Sequence, residues 1–223
     1  MSFWNKALTI AWKDVISEMR TREIIISVLV FAILVIVIFN FAFGETREML
    51  TAVAPGILWV TFAFSGVLSL NRAFVGEKED GCLEGLMACP IGREVIYVGK
   101  LLGSLLFMLA VEAIALPVFA LLFNLPVLSP ELITITVLAT IGFAALGTLF
   151  SALATNTRAR EMVLPILFLP LVVPVIIAAV KATGLALAGQ SWAAMSTWLY
   201  MITAFDIVFL VVSYLTFPFV IEE

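Results

Sequence analysis

Six stretches of this chain run for about twenty residues with little or no charge, and the polar residues gather between them. Residues 24–43, 49–70, 132–154 and 162–180 contain no charged side chain. Residues 101–123 contain only Glu112, and 197–220 only Asp206. Each stretch can cross ~30 Å of hydrocarbon as an α-helix. Helix is the conformation expected there, because lipid offers no partner to a free backbone group.

Residues 3–20 follow another pattern. Phe3, Trp4, Ala7, Leu8, Ala11, Trp12, Val15, Ile16 and Met19 recur at steps of three and four and share one helical face. Asn5, Lys6, Thr9, Lys13, Asp14, Ser17 and Glu18 occupy the other. An apolar face with two tryptophans suits a helix lying in the headgroup layer of a membrane. An ordinary amphipathic helix packed on protein is the alternative. Lys6, Lys13, Asp14, Glu18 and Arg20 break the apolar run that a secretory signal needs. The expected architecture is an all-α membrane protein: one membrane domain, 1–223, with an interfacial helix and six transmembrane helices.

Composition agrees. The chain is 63% hydrophobic and 13% charged, with a mean hydropathy of +1.19; soluble domains average about 25% charged. Lys6, Lys13, Arg20, Arg22, Arg72, Lys78, Arg93, Lys100, Arg158 and Arg160 fall on one side of the expected topology, and Arg47 and Lys181 on the other. Cation-rich segments stay in the cytoplasm, so both termini are expected inside. No basic stripe exists to bind nucleic acid. There is no histidine, which removes the commonest metal and haem ligand and the commonest general base. Cys82 and Cys89 match no zinc or redox spacing. On the reducing side they are expected to be packing residues.

Several residues shape the spans. Pro165, Pro170 and Pro174 should kink the fifth or make it irregular. Gly99 with Gly103, and Gly147 with Ser151, permit close backbone approach, mostly within the chain. Glu112 and Asp206 lie near mid-membrane, where a charge costs roughly 2.5–3.5 kcal/mol. They either line a substrate path or carry protons, or they are neutral carboxyls bonded to a facing Ser or Thr. The residues leave both readings open.

The longest charged interruption is 72–93, with Arg72, Glu77, Lys78, Glu79, Asp80, Glu84 and Arg93. Asp80 can cap a short helix with Glu84 in its first turn. Leu83, Leu86 and Met87 then share a face, and Pro90 ends the helix. The expected product is a two-turn helix over 81–88. Its apolar knuckle can seat in a groove on a soluble partner or fold against its own membrane domain. The sequence contains no GxxxxGK[ST], GxSxG or HExxH motif. A membrane domain without an ATP site points to a transport subunit energised by another chain.

The pattern Glu77, Asp80-Gly81, Leu83-Glu84, Leu86 and Pro90 resembles the coupling segment of ABC-2-type exporter permeases. Joined to Ala54-Pro55-Gly56-Ile57-Leu58-Trp59 and Leu68-Ser69-Leu70, it is similar to the haem exporter protein B family over essentially the whole chain. These are permease subunits of cytochrome c maturation. The resemblance implies a multi-pass protein of the bacterial inner membrane, present as two copies. It implies a cytoplasmic ATPase subunit that carries the ATP, a haem-handling membrane subunit, a small single-span subunit and a periplasmic haem chaperone. Glu77, Asp80, Gly81, Leu83, Glu84, Leu86, Met87 and Pro90 would meet the ATPase. No cofactor is expected on this chain; haem is the possible transported or handled ligand. The alternatives are an exporter permease for another hydrophobic substrate, or a stand-alone carrier using Glu112 and Asp206 as proton sites.

Overall fold

The computed structural model describes residues 2–43, 47–79, 82–89, 91–127, 129–155 and 164–221. All regular structure among them is helical. In chain order the helices are α1 (Phe3–Thr21), α2 (Glu23–Phe43), α3 (Arg47–Glu79), α4 (Cys82–Ala88), α5 (Arg93–Phe123), α6 (Pro130–Thr155), α7 (Leu169–Leu187) and α8 (Trp192–Ile221). A π-helical turn, Leu164–Phe168, leads into α7. Apart from α1 and α4, these helices form the six membrane-capable spans that the apolar pattern requires.

The segment expected between the second and third spans is mostly helix. α3 has 33 residues and runs on to Glu79, and α5 has 31 and begins at Arg93. At 1.5 Å per residue each is about 50 Å long, well over the hydrocarbon thickness. Arg72, Glu77, Lys78 and Glu79 therefore extend a helix rather than open a loop, since charged helix formers need no loop once outside lipid. Asp80, Gly81 and Pro90 lie outside the described residues.

α3 and α6 form the centre. Within their spans 72% of residues are buried, against 17% for α2 and α8. Small residues on α6 explain this, because they let neighbours approach closely. A Cβ on Gly147 would overlap Leu70, and Ser151 donates to the Leu70 carbonyl at 3.0 Å. The Gly147 and Ser151 pair thus packs α6 on α3 within the chain. On α3, Gly66 lies beneath Phe143 of α6 and Met108 of α5.

The apolar face of α1 divides in two. Ala7, Ile10 and Ala11 are buried, and the helix crosses α5 at Gly99 and Gly103. Lys100, between those glycines, is 3% exposed with Nζ 3.0 Å from Asp14 Oδ2. Trp4, Leu8, Trp12 and Ile16 remain exposed along the outer side. Part of the apolar face therefore packs on protein, and the part with both tryptophans faces outward. Glu18, on the polar face, accepts from the Ile25 N–H at 2.9 Å and satisfies a free donor at the start of α2. Arg22 makes the corner with φ 57°.

A Cβ on Gly99 would sit 2.7 Å from Ile10 Cβ and 3.0 Å from the Ala7 carbonyl. The backbone contact cannot rotate away. Gly99→Leu is expected to lift α1 off α5 and cost about 1–3 kcal/mol. It should appear as a lower thermal midpoint and new protease cleavage near Arg22. Gly103→Ala, whose Cβ would meet Asp14 at 3.3 Å, should cost less.

Among the described residues, the proline-rich fifth span is irregular at its π-helical start. The π-helical turn contains Pro165. Pro170 occupies the first turn of α7, where its missing N–H is not needed, and Pro174 is carried inside the helix.

Candidate functional site

Two regions hold the residues singled out by the sequence: the end of the bundle that carries α4, and a polar layer across its middle.

α4 spans Cys82–Ala88, between the long helices α3 and α5. Leu83 and Glu84 lie on its backbone. Of the expected knuckle, Leu86 is half-buried and packs against the hydrophobic core, while Met87 is 40% exposed. Leu86 anchors α4 to its own bundle, and Met87 faces outward. Cys89 is exposed and free, its thiol donating to the Gly85 carbonyl at 3.4 Å. It is not a packing residue, because the short helix leaves no second layer to cover it.

The start of α5 is tied firmly to its neighbours. The Arg93 guanidinium donates to the Pro218 carbonyl at 3.3 Å, near the end of α8. One turn on, the Tyr97 hydroxyl donates to the Ala145 carbonyl of α6 at 3.1 Å, and its ring packs 5.1 Å from Phe217. These contacts hold the start of α5 against α6 and α8.

The run Ala54 to Trp59 is buried except for half-buried Gly56: Ala54, Ile57, Leu58 and Trp59 are all in the core. Trp59 Nε1 donates to Thr183 Oγ1 of α7 at 2.9 Å. This bond ties α3 to α7 and accounts for a tryptophan at that place. Trp59→Phe is expected to cost about 1 kcal/mol, read as a lowered thermal midpoint. Adding Thr183→Val should recover part of the loss, because it removes the stranded hydroxyl.

The two intramembrane carboxyls lie at one level, on opposite sides of α6. Glu112 meets Thr140 of α6, and Asp206 meets Gly142 two residues along. Their surroundings differ. The Thr140 hydroxyl is 2.9 Å from Glu112 Oε1, 2.9 Å from Oε2, and 2.7 Å from the Thr136 carbonyl. A hydroxyl has one proton to give. If that proton goes to the Thr136 carbonyl, the contact to Glu112 closes only when the carboxyl itself donates to Thr140. The neutral, threonine-bonded arrangement therefore fits Glu112. Asp206 is also buried, yet neither of its oxygens has a hydrogen-bond partner among the described residues, because a glycine faces it.

Glu112, Phe62 and Met108 border both of two small voids. One is bordered by Phe62, Ser65, Ser69, Met108 and Val111; the other by Trp59, Phe62, Met108, Thr140 and Phe143. Each has room for about one water. Glu112 and Asp206 stand out in the sequence, but Thr140, Ser65, Thr183 and the Asp14–Lys100 pair do not. No local pattern distinguishes those from the other hydroxyls and cations of the chain.

Comparison with known proteins bears on the whole chain. The family model described as CcmB protein matches residues 5–222. The heme exporter protein B of Pseudomonas aeruginosa is 31% identical over 177 residues, covering 79% of each chain. That of Paracoccus denitrificans is 35% identical over 162 residues, 72% of this chain and 74% of its own. That of Rhodobacter capsulatus is 34% identical over 152 residues, 67% and 69%.

Proposed function

Since the chain belongs to the CcmB protein family, we propose that it is the permease subunit of an ABC-type haem-export complex acting in cytochrome c maturation. It is a multi-pass protein of the bacterial inner membrane, with six membrane-capable helices. Both termini and α4 face the cytoplasm, on the side richer in Lys and Arg. A separate cytoplasmic subunit binds and hydrolyses ATP and docks at α4. Two copies of this chain work with two of that subunit. A haem-handling membrane subunit, a small single-span subunit and a periplasmic haem chaperone complete the assembly.

The observation that carries this reading is the family match across residues 5–222. The placement of α4 supports its coupling part: a seven-residue helix stands between two overlong helices and offers Met87 outward. ATP hydrolysis releases the haem-loaded chaperone from the haem-handling subunit. With no histidine in the chain, haem passing through it would lack the commonest axial ligand.

The test is a strain lacking this chain, complemented with a tagged copy. Haem-loaded c-type cytochromes should disappear on deletion and return on complementation, with the ATPase co-purifying. Normal cytochromes in the deletion strain would instead favour an exporter permease for another hydrophobic substrate. Haem bound mainly between two copies of this chain would overturn the release role.

A further inference from the structure

We propose that the void between α2, α3 and α5 binds one water molecule held by Ser65, Ser69 and Glu112, and that this water serves Glu112 as an intramembrane proton-binding site. The ligand class is a proton with its water, and the size of the void sets that limit.

The wall of the void is built for a water. Ser65 Oγ is buried, its residue 3% exposed, and has no hydrogen-bond partner among the described residues. A hydroxyl in a membrane helix commonly turns back to the carbonyl four residues earlier. Thr61 on the same helix does so, donating to the Ile57 carbonyl at 2.7 Å. Ser65 does not, and it borders the void instead. Ser69 lies one turn further along the same face of α3, and Glu112 borders the void from α5. These three side chains meet the requirement of two to four polar partners for a buried water.

Glu112 then has two unlike sides. On one it meets Thr140 and, through it, the Thr136 carbonyl. On the other it faces the water. A proton held by the carboxyl can pass to the water and return, with no bond broken except O–H. The side chains bordering the two voids come from α2, α3, α5, α6 and α7, and Glu112 is the charged type among them. Among the described residues, no cation borders either void to hold it as a carboxylate. Asp206, at the same level, borders neither void and is not part of this site.

Infrared spectroscopy of the full-length protein in lipid bilayers tests this. The wild type should show a carboxylic-acid carbonyl band that shifts when H2O is replaced by D2O. Glu112→Gln should remove it, and Asp206→Asn should leave it. Ser65→Val, which fills the void, should keep the band and slow or abolish its deuterium shift. Should Ser65→Val fail to assemble, Ser65→Ala removes the ligand without adding bulk and should move the band. Survival of the full band in Glu112→Gln would overturn the proposal. So would wild-type exchange kinetics and band position in the Ser65 variants.

Discussion

Met87→Arg is expected to break association with the ATPase while leaving the membrane domain folded. Met87 is 40% exposed on a helix held to the bundle by its neighbour Leu86. An arginine there points outward and disturbs little of the fold. In a desolvated seat on a partner, the same charge would lose its water without a matching group. A well-placed apolar contact of this kind is worth about 2 kcal/mol or more in an interface, so affinity should fall at least about tenfold. The measurement is co-purification of the ATPase together with the yield of haem-loaded cytochromes. Leu86→Arg is the companion variant. It should lower the stability of the membrane domain itself, because Leu86 packs inward. Normal ATPase recovery with Met87→Arg would move the docking surface away from the outer side of α4.

Phe168→Ala should have the largest effect on stability, about 3 kcal/mol. Phe168 is fully buried at the end of the π-helical turn. Its ring meets Phe143 of α6 edge-on at 4.7 Å and lies 6.2 Å from Phe150. Truncation removes that packing and leaves a cavity against the central helix. In soluble cores such changes cost about 3–5 kcal/mol. The low end applies here, because the unfolded reference in lipid also surrounds the ring with apolar groups. The expected readout is a clear drop in thermal midpoint. Phe168→Leu should recover much of it. Equal midpoints for Phe168→Ala and wild type would show that the turn is not anchored by this ring.

Much of the molecule was legible in its sequence. The six spans follow from apolar length with at most one charge in each, and the structure keeps them with shifts at their ends. The resemblance resting on Ala54 to Trp59 and the segment after Leu70 is upheld by the family match over residues 5–222. The irregular fifth span followed from its prolines, and the π-helical turn at Pro165 is where it falls. The Gly99 and Gly103 pair was readable as a close-approach surface, but not which helix it receives. That proved to be α1 rather than a neighbouring span. The charged run after Leu70 looked like a loop because charge marks where a span leaves lipid. Charge does not mark where a helix ends, and α3 continues to Glu79.

What the sequence determined by itself is the solvent each stretch requires. Helices with no charge over twenty residues must lie in lipid. What only the tertiary structure decided is which side chains face one another. The level shared by Glu112 and Asp206, the threonine beside one and the glycine beside the other, and the Asp14–Lys100 pair all arise between helices distant in sequence. In lipid the hydrophobic effect no longer selects an inner face for each helix. Small-residue contacts and a few hydrogen bonds make that selection, and they depend on register between helices rather than on pattern along one.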